Sequence, residues 1–282
     1  MLSFFENPLV LQLVAYAVII ITFWALEVSF HAERPIEKAK HSLLNAKFIF
    51  FVLPVQIGIS TIVFMVANWT ENTGWGLINL LPIEKHTVLH FIIAFIAIDF
   101  FDYWYHVFMH RVPFLWRFHQ VHHSDMDVDI STTVREHPGE TTVRVSYLVL
   151  VVFILGVPVE FLLLKQFIQS FINLTSHSKV KLPEKVNKIV SWIVVTPNTH
   201  HIHHHYVLPY TDSNYGDILT IWDRLFNTFT HMKQTDIVHG IDTNMNESEN
   251  KDFKDLITRP FDNERTHSTN PIYSKQSLKT VK

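Results

Sequence analysis

The sequence predicts an all-α integral membrane protein with about four transmembrane helices or hairpin arms and a cytosolic helical cap that holds a histidine-rich dimetal site. Three observations carry that expectation. Apolar residues make up 48% of the 282-residue chain and charged residues only 17%, a balance that favours lipid contact. Several apolar runs are long enough to cross a bilayer as helices. The chain also has 19 histidines, most of them in clusters, and these need a chemical reason.

Leu9 to Phe30 contains one charged residue, Glu27, and as a helix it covers the roughly 30 Å hydrocarbon core. It is too long for the apolar part of a signal peptide and lacks both a basic start and a small-residue cleavage site, so it reads as a retained first span. Phe48 to Trp69 carries no charge, and Val88 to Met109 is apolar until Asp99 and Asp102; these are the expected second and third spans. From Val145 to His177 the run is too long for one crossing and is broken by Gly156-Val157-Pro158. A hairpin that enters and returns is expected there, with Glu160 and Lys165 near its bend.

Arg34, Lys38, Lys40 and Lys47 follow the first span, whereas no basic side chain precedes Leu9. The positive-inside bias therefore places residues 31–47 in the cytoplasm. Alternation of the spans brings Arg111, Arg117 and, after the hairpin, His177 with all that follows to the same side. Every histidine cluster is then expected on one membrane face.

Composition also excludes. With no cysteine there is no disulfide, thiolate-ligated haem, iron–sulfur cluster or cysteine nucleophile. A net charge of −3 without a basic block gives nucleic acid no footprint. No Gly-x-Gly-x-x-Gly string is present, so no nicotinamide or flavin site is expected.

The first histidine cluster is His106-Val-Phe-Met-His110, whose i, i+4 spacing stacks both rings on one helix face. His119-Gln-Val-His122-His123 follows after only eight residues, and the same pattern returns as His200, His203 and His204. One such pair alone would read as chance, and residues 200–205 alone as a tag or metal sponge. Recurrence, internal position and a shared membrane side argue for metal, since eight unpaired imidazoles would be costly to bury. Eight nitrogens exceed the four to six that one ion takes, so two ions are expected. An all-imidazole set suits zinc, copper, iron or nickel. A zinc hydrolase should offer His-Glu-x-x-His, which is absent, so a redox metal handling dioxygen is favoured. Asp102, one turn before His106, is expected to accept a hydrogen bond from it; otherwise it faces a cytoplasmic water layer.

At these residues the sequence resembles the fatty acid hydroxylase/sterol desaturase superfamily. The match runs through Asp102-Tyr-Trp-Tyr-His106-Val-Phe-Met-His110, Leu115-Trp-Arg-Phe-His119-Gln-Val-His122-His123-Ser124, Arg135-Glu-His137-Pro138, His177-Ser178, Thr196-Pro-Asn-Thr-His200-His-Ile-His203-His204 and Tyr215-Gly216-Asp217 to Trp222-Asp223-Arg224-Leu225-Phe226. The short gap between the first two clusters sets it apart from acyl-CoA desaturases. The resemblance implies a non-haem di-iron centre, with zinc as a substitute acquired on purification. The implied ligands are His106, His110, His119, His122, His123, His177, His200, His203 and His204. It also implies O2-dependent hydroxylation or desaturation of a sterol, fatty acyl chain or ether lipid. Electrons would come from a partner such as a cytochrome b5, a ferredoxin or a reductase.

His137 is expected behind a ligand or facing substrate rather than on the metal. Asn173 stands where some relatives have a further histidine, which puts a tenth ligand in doubt, and Asn227 replaces a glycine often found there. The implied division is N-terminal helices and loops over 1–87, a catalytic domain over 88–232 and a polar, peripheral tail with a loosely ordered end over 233–282. The rival classes are a metal-binding or transport protein, which would carry polar groups at mid-membrane in several spans, and an inactive relative that keeps zinc.

Overall fold

The first expected span forms helix α1 (Pro8–Phe30), the first element of a computed structural model that describes residues 8–30 and 34–262. Helix α2 (Pro35–Thr73) is 39 residues long and already starts at Pro35. A proline's fixed φ suits the first helical position, so the basic stretch before the second span is itself helical. Gly74, at φ 68, ends α2 by donating its N–H to the Glu71 and Thr70 carbonyls, the left-handed stop that favours glycine.

Thr87 caps α3 (Val88–Arg111) by accepting from the His90 N–H at 3.2 Å. Pro113 then opens α4 (Pro113–His123) almost at once, which keeps the first two histidine clusters close. The apolar hairpin is α5 (Pro138–Leu155) and α6 (Val159–His177), and it turns at Gly156. That residue has φ 72, and a Cβ there would lie 2.2 Å from the Trp75 carbonyl oxygen, so only glycine fits.

Three helical stretches are long and apolar enough to cross a membrane: Pro35–Leu80, Val88–Arg111 and Pro138–Leu155. α1 adds a shorter apolar stretch, Tyr16–Ser29, and α6 is the more polar return arm. Val63 and Ala67 of α2, Ala94 and Ile98 of α3, Val145 and Val152 of α5 and Leu162 of α6 form a shared core. No strand forms among the described residues, where extended pairing is limited to isolated bridges such as Val194 with Leu219.

Short helices α7 (Glu184–Val190), α8 (Pro197–His203), α9 (Ile221–Leu225), α10 (Glu247–Asn250) and α11 (Phe253–Thr258) follow the hairpin, and α8 carries part of the third histidine cluster. Up to residue 262 the polar C-terminal segment is packed against the helices. Leu256 is buried with Leu44, Phe48 and Val121, and Phe253 packs edge-on against Phe48 at 4.9 Å. Arg135 adds a hydrogen bond to the Asn250 carbonyl at 3.0 Å. Residues 263–282, the expected loose end, lie outside the described residues.

Candidate metal centre

Four helices deliver the nine expected histidines. α3 brings His106 and His110 at its last turns, and α4 presents His119, His122 and His123. α6 ends on His177. α8 is set by a capping box, in which Thr196 accepts from the Thr199 N–H and Thr199 reaches back to the Thr196 N–H, with Pro197 in the first turn. This cap fixes the direction in which His200, His203 and His204 point.

The nine rings form two adjacent groups. His106, His110, His119, His123 and His203 make one, His122, His177, His200 and His204 the other, and within each group one nitrogen per ring lies within 4.8 Å of the rest. The closest Nε2–Nε2 separations are 3.2 Å for His106–His119, His119–His123 and His200–His204, 3.1 Å for His122–His177 and 3.0 Å for His177–His200.

The far side of several rings decides what these contacts are. Nδ1 of His106 donates to the Tyr215 carbonyl at 2.8 Å, Nδ1 of His177 to the Asn173 carbonyl at 2.7 Å, and Nδ1 of His203 to the Ser213 carbonyl at 2.7 Å. The His122 Nδ1 faces the Arg135 carbonyl at 3.3 Å. A neutral imidazole that donates from Nδ1 carries a lone pair on Nε2. His122 and His177 therefore aim lone pairs at each other across 3.1 Å, which no hydrogen bond explains. An ion about 2.1 Å from each nitrogen does. Nε2 of His203 is buried and has no hydrogen-bond partner among the described residues, which suits a metal-ligating nitrogen.

Charge state fits the same role. Burial pushes His119 down to about 3, and burial with neighbouring imidazoles holds His122, His123, His200, His203 and His204 well below the ordinary histidine value. These rings are neutral near pH 7, the form that binds metal. Behind His119 lies Glu140, with Oε1 2.7 Å from Nδ1, and behind His110 lies Asp212 at 3.3 Å. Carboxylates so placed fix ring orientation and raise ligand basicity.

Three sequence expectations need correction or refinement. Asp102 does not accept from His106: it pairs with Lys165 of α6, while His106 turns its Nδ1 to the 215 segment. His137 faces neither histidine group. It caps α5 by accepting from the Gly139 N–H at 2.9 Å and donates from Nε2 to the Ile257 carbonyl at 3.1 Å. Asn173 belongs to neither group and supplies a backbone carbonyl to His177. Sequence reasoning missed Glu140 and Asp212, which stand far from their histidines along the chain. It also missed the carbonyl anchors, since every residue has a carbonyl. His201 and His205, left out of the expected set, are likewise outside both groups.

A cavity of about 490 Å³ reaches His106, His119, His122, His177 and His200 from between the long helices. That volume lies within the roughly 300–1,000 Å³ of small-molecule sites.

Comparison with known proteins places residues 91–228 on the model of the fatty acid hydroxylase family. The chain is 33% identical over 155 residues to alkylglycerol monooxygenase of Homo sapiens, covering 52% of this chain and 32% of that protein. It is 32% identical over 148 residues to an ornithine lipid hydroxylase of Rhizobium tropici, covering 52% and 43%. It is 28% identical over 157 residues to a fatty acid hydroxylase of a Lecanicillium species, covering 51% and 42%. The chain thus spans less than half the length of these relatives. No solved structure matches.

Proposed function

We infer, from a chain whose residues 91–228 form a fatty acid hydroxylase domain, that this membrane protein is an O2-dependent oxygenase that hydroxylates or desaturates a lipid at a di-iron centre. The reading is carried by one observation: nine imidazoles, seven of them buried, converge in groups of five and four at the inner end of a lipid-sized cavity, and the Nε2 lone pairs of His122 and His177 face each other. The relatives' names, a monooxygenase and two lipid or fatty acid hydroxylases, point the same way.

His106, His110, His119, His123 and His203 would hold one ion, and His122, His177, His200 and His204 the other. Iron bound there would supply the redox chemistry that lets O2 attack an unactivated C–H bond. The chain's own residues do the positioning. The Tyr215, Asn173 and Ser213 carbonyls lock three rings in the ligating tautomer, and Glu140 holds a fourth. Burial keeps the rings neutral and limits water at the site.

The basic segment after α1 supports a cytoplasmic position for the histidine-bearing end. With no nucleotide fingerprint in the sequence, electrons come from a separate donor such as a cytochrome b5, a ferredoxin or a reductase. The test is O2 uptake by the anaerobically reduced, iron-loaded protein with a lipid extract and a reductase. Lipid-dependent uptake with a product heavier by one oxygen, or lighter by two hydrogens, is expected. No uptake at two irons per chain would refute the oxygenase reading.

A further inference from the structure

Asp99, in the middle of α3, belongs to neither histidine group. Its buried carboxylate accepts from the Ile218 and Leu219 N–H groups, each at 3.3 Å, and from the Trp222 indole N–H at 2.8 Å. Rings extend the contact: Trp222 packs edge-on against Phe100 at 5.1 Å, and Phe226 against Trp104 at 5.0 Å. Residues 218–226 thus run along the side of α3 towards its histidine end. Residues 189–195 pair with them, Thr220 donating its N–H to the Ile193 carbonyl at 3.0 Å and Val195 to that of Ile218 at 2.9 Å.

Depth follows from length. α3 has 24 residues and is apolar enough to cross a membrane. As a helix it rises about 36 Å, so a hydrocarbon layer of roughly 30 Å leaves little of it outside. Both ends of α3 lie roughly 17 Å from Asp99 along the axis, so a layer placed anywhere across the helix encloses Asp99 by about 10 Å or more. The segment that Asp99 holds lies at that depth too.

Two further features suit lipid. Irregular backbone at membrane depth needs internal hydrogen-bond partners. Asp99 and the pairing of 193–195 with 218–220 supply them, and the Ser191 carbonyl accepts from the Thr220 hydroxyl at 2.8 Å and from Arg224 at 2.9 Å. The outward side chains are apolar: Ile189, Trp192, Ile193, Ile221 and Leu225 are each more than half exposed, a patch that marks contact with a partner or a membrane. This patch continues the outer surface of α3, because Trp222 lines one apolar depression with Ile93, Ile96 and Phe100.

We propose that residues 184–195 and 218–226 form a wedge embedded in the leaflet on the histidine side, covered by the acyl chains of that leaflet and held at depth by Asp99. Lys185 and Lys188, exposed on α7, have the reach to snorkel to the headgroups. The chain beyond His177 is then not wholly in the aqueous layer. Neither the metal nor the oxygenase chemistry enters this inference.

The experiment is photolabelling of the full, unaltered, iron-loaded chain in phosphatidylcholine nanodiscs that hold one chain each. One sample contains a phosphatidylcholine with a diazirine on its acyl chain, the other a water-soluble diazirine, and insertion sites are mapped by mass spectrometry. The lipid reagent should label residues 189–193 and 221–225 within about threefold of the exposed Ile92 and Ile96 of α3. It should label them at least about tenfold more than α10, which carries the exposed Glu247, and the water-soluble reagent should give the reverse order. Lipid labelling of the two segments no higher than that of α10 would overturn the wedge. Strong labelling by the water-soluble reagent would then assign the patch to a protein partner in the aqueous layer.

Discussion

Two imidazoles that both donate from Nδ1 cannot hydrogen-bond to each other through Nε2, and this constraint at His122 and His177 is the most specific chemical statement the structure makes. The same logic gives Glu140 a function, because its carboxylate orients His119. Glu140→Gln should lower metal affinity about 10- to 100-fold, the usual effect of losing such a carboxylate, while the helices stay intact; metal titration against a competing chelator reads it. pH should act through the same rings. His119, His200 and their neighbours titrate below their unfolded value of about 6.5, so the unfolded chain binds protons first. Neutral burial thus contributes its full stability above about pH 6.5 and loses it as pH falls further. Through these rings, the melting temperature of the metal-free protein should drop between about pH 6.5 and 4.5. At this scale eight of the nine ring positions are legible as spacing, and His177 enters only through the family resemblance. The division of the nine into five and four is not legible, because His122 and His123 are adjacent in sequence yet belong to different groups, and only the fold separates them.

At the level of elements, the apolar runs translate into α1, α2, α3 and the α5–α6 hairpin, with the turn at Gly156 where Gly156-Val157-Pro158 predicts it. Gly156→Ala should destabilise the protein by at least about 1–2 kcal/mol, the cost of left-handed backbone alone, since the Trp75 carbonyl adds a clash. Thermal unfolding in detergent would measure it, and an unchanged midpoint would argue against the turn. Asp102 shows where helix-level reading stops. Spacing places it one turn from His106, but its side chain faces α6, where Lys165 sits. A single element cannot reveal which neighbour covers each of its faces.

Across the whole molecule, a buried charged network ties the first two helices to the cap. Lys38 of α2 lies 2.8 Å from Glu27 of α1 and 2.6 Å from Asp129 in the loop after α4, all three fully buried. Arg135 continues the network to Asn45, Ser124 and the Asn250 carbonyl, reaching the C-terminal segment. Lys38→Met would leave two carboxylates buried without their cation and should cost about 3–5 kcal/mol, lowering the unfolding midpoint without changing any metal ligand. The sequence shows Lys38 only as one of several basic residues marking sidedness, because contacts across 91 residues leave no local trace.

The central claim is that the five-imidazole group holds one ion and the four-imidazole group a second, and its most direct test is iron content per chain after anaerobic reconstitution of the unaltered protein and of His177→Ala. Two irons, falling to one in the variant because the first group keeps all its ligands, is the expected result. One iron or fewer in the unaltered chain, or two in both, would contradict it.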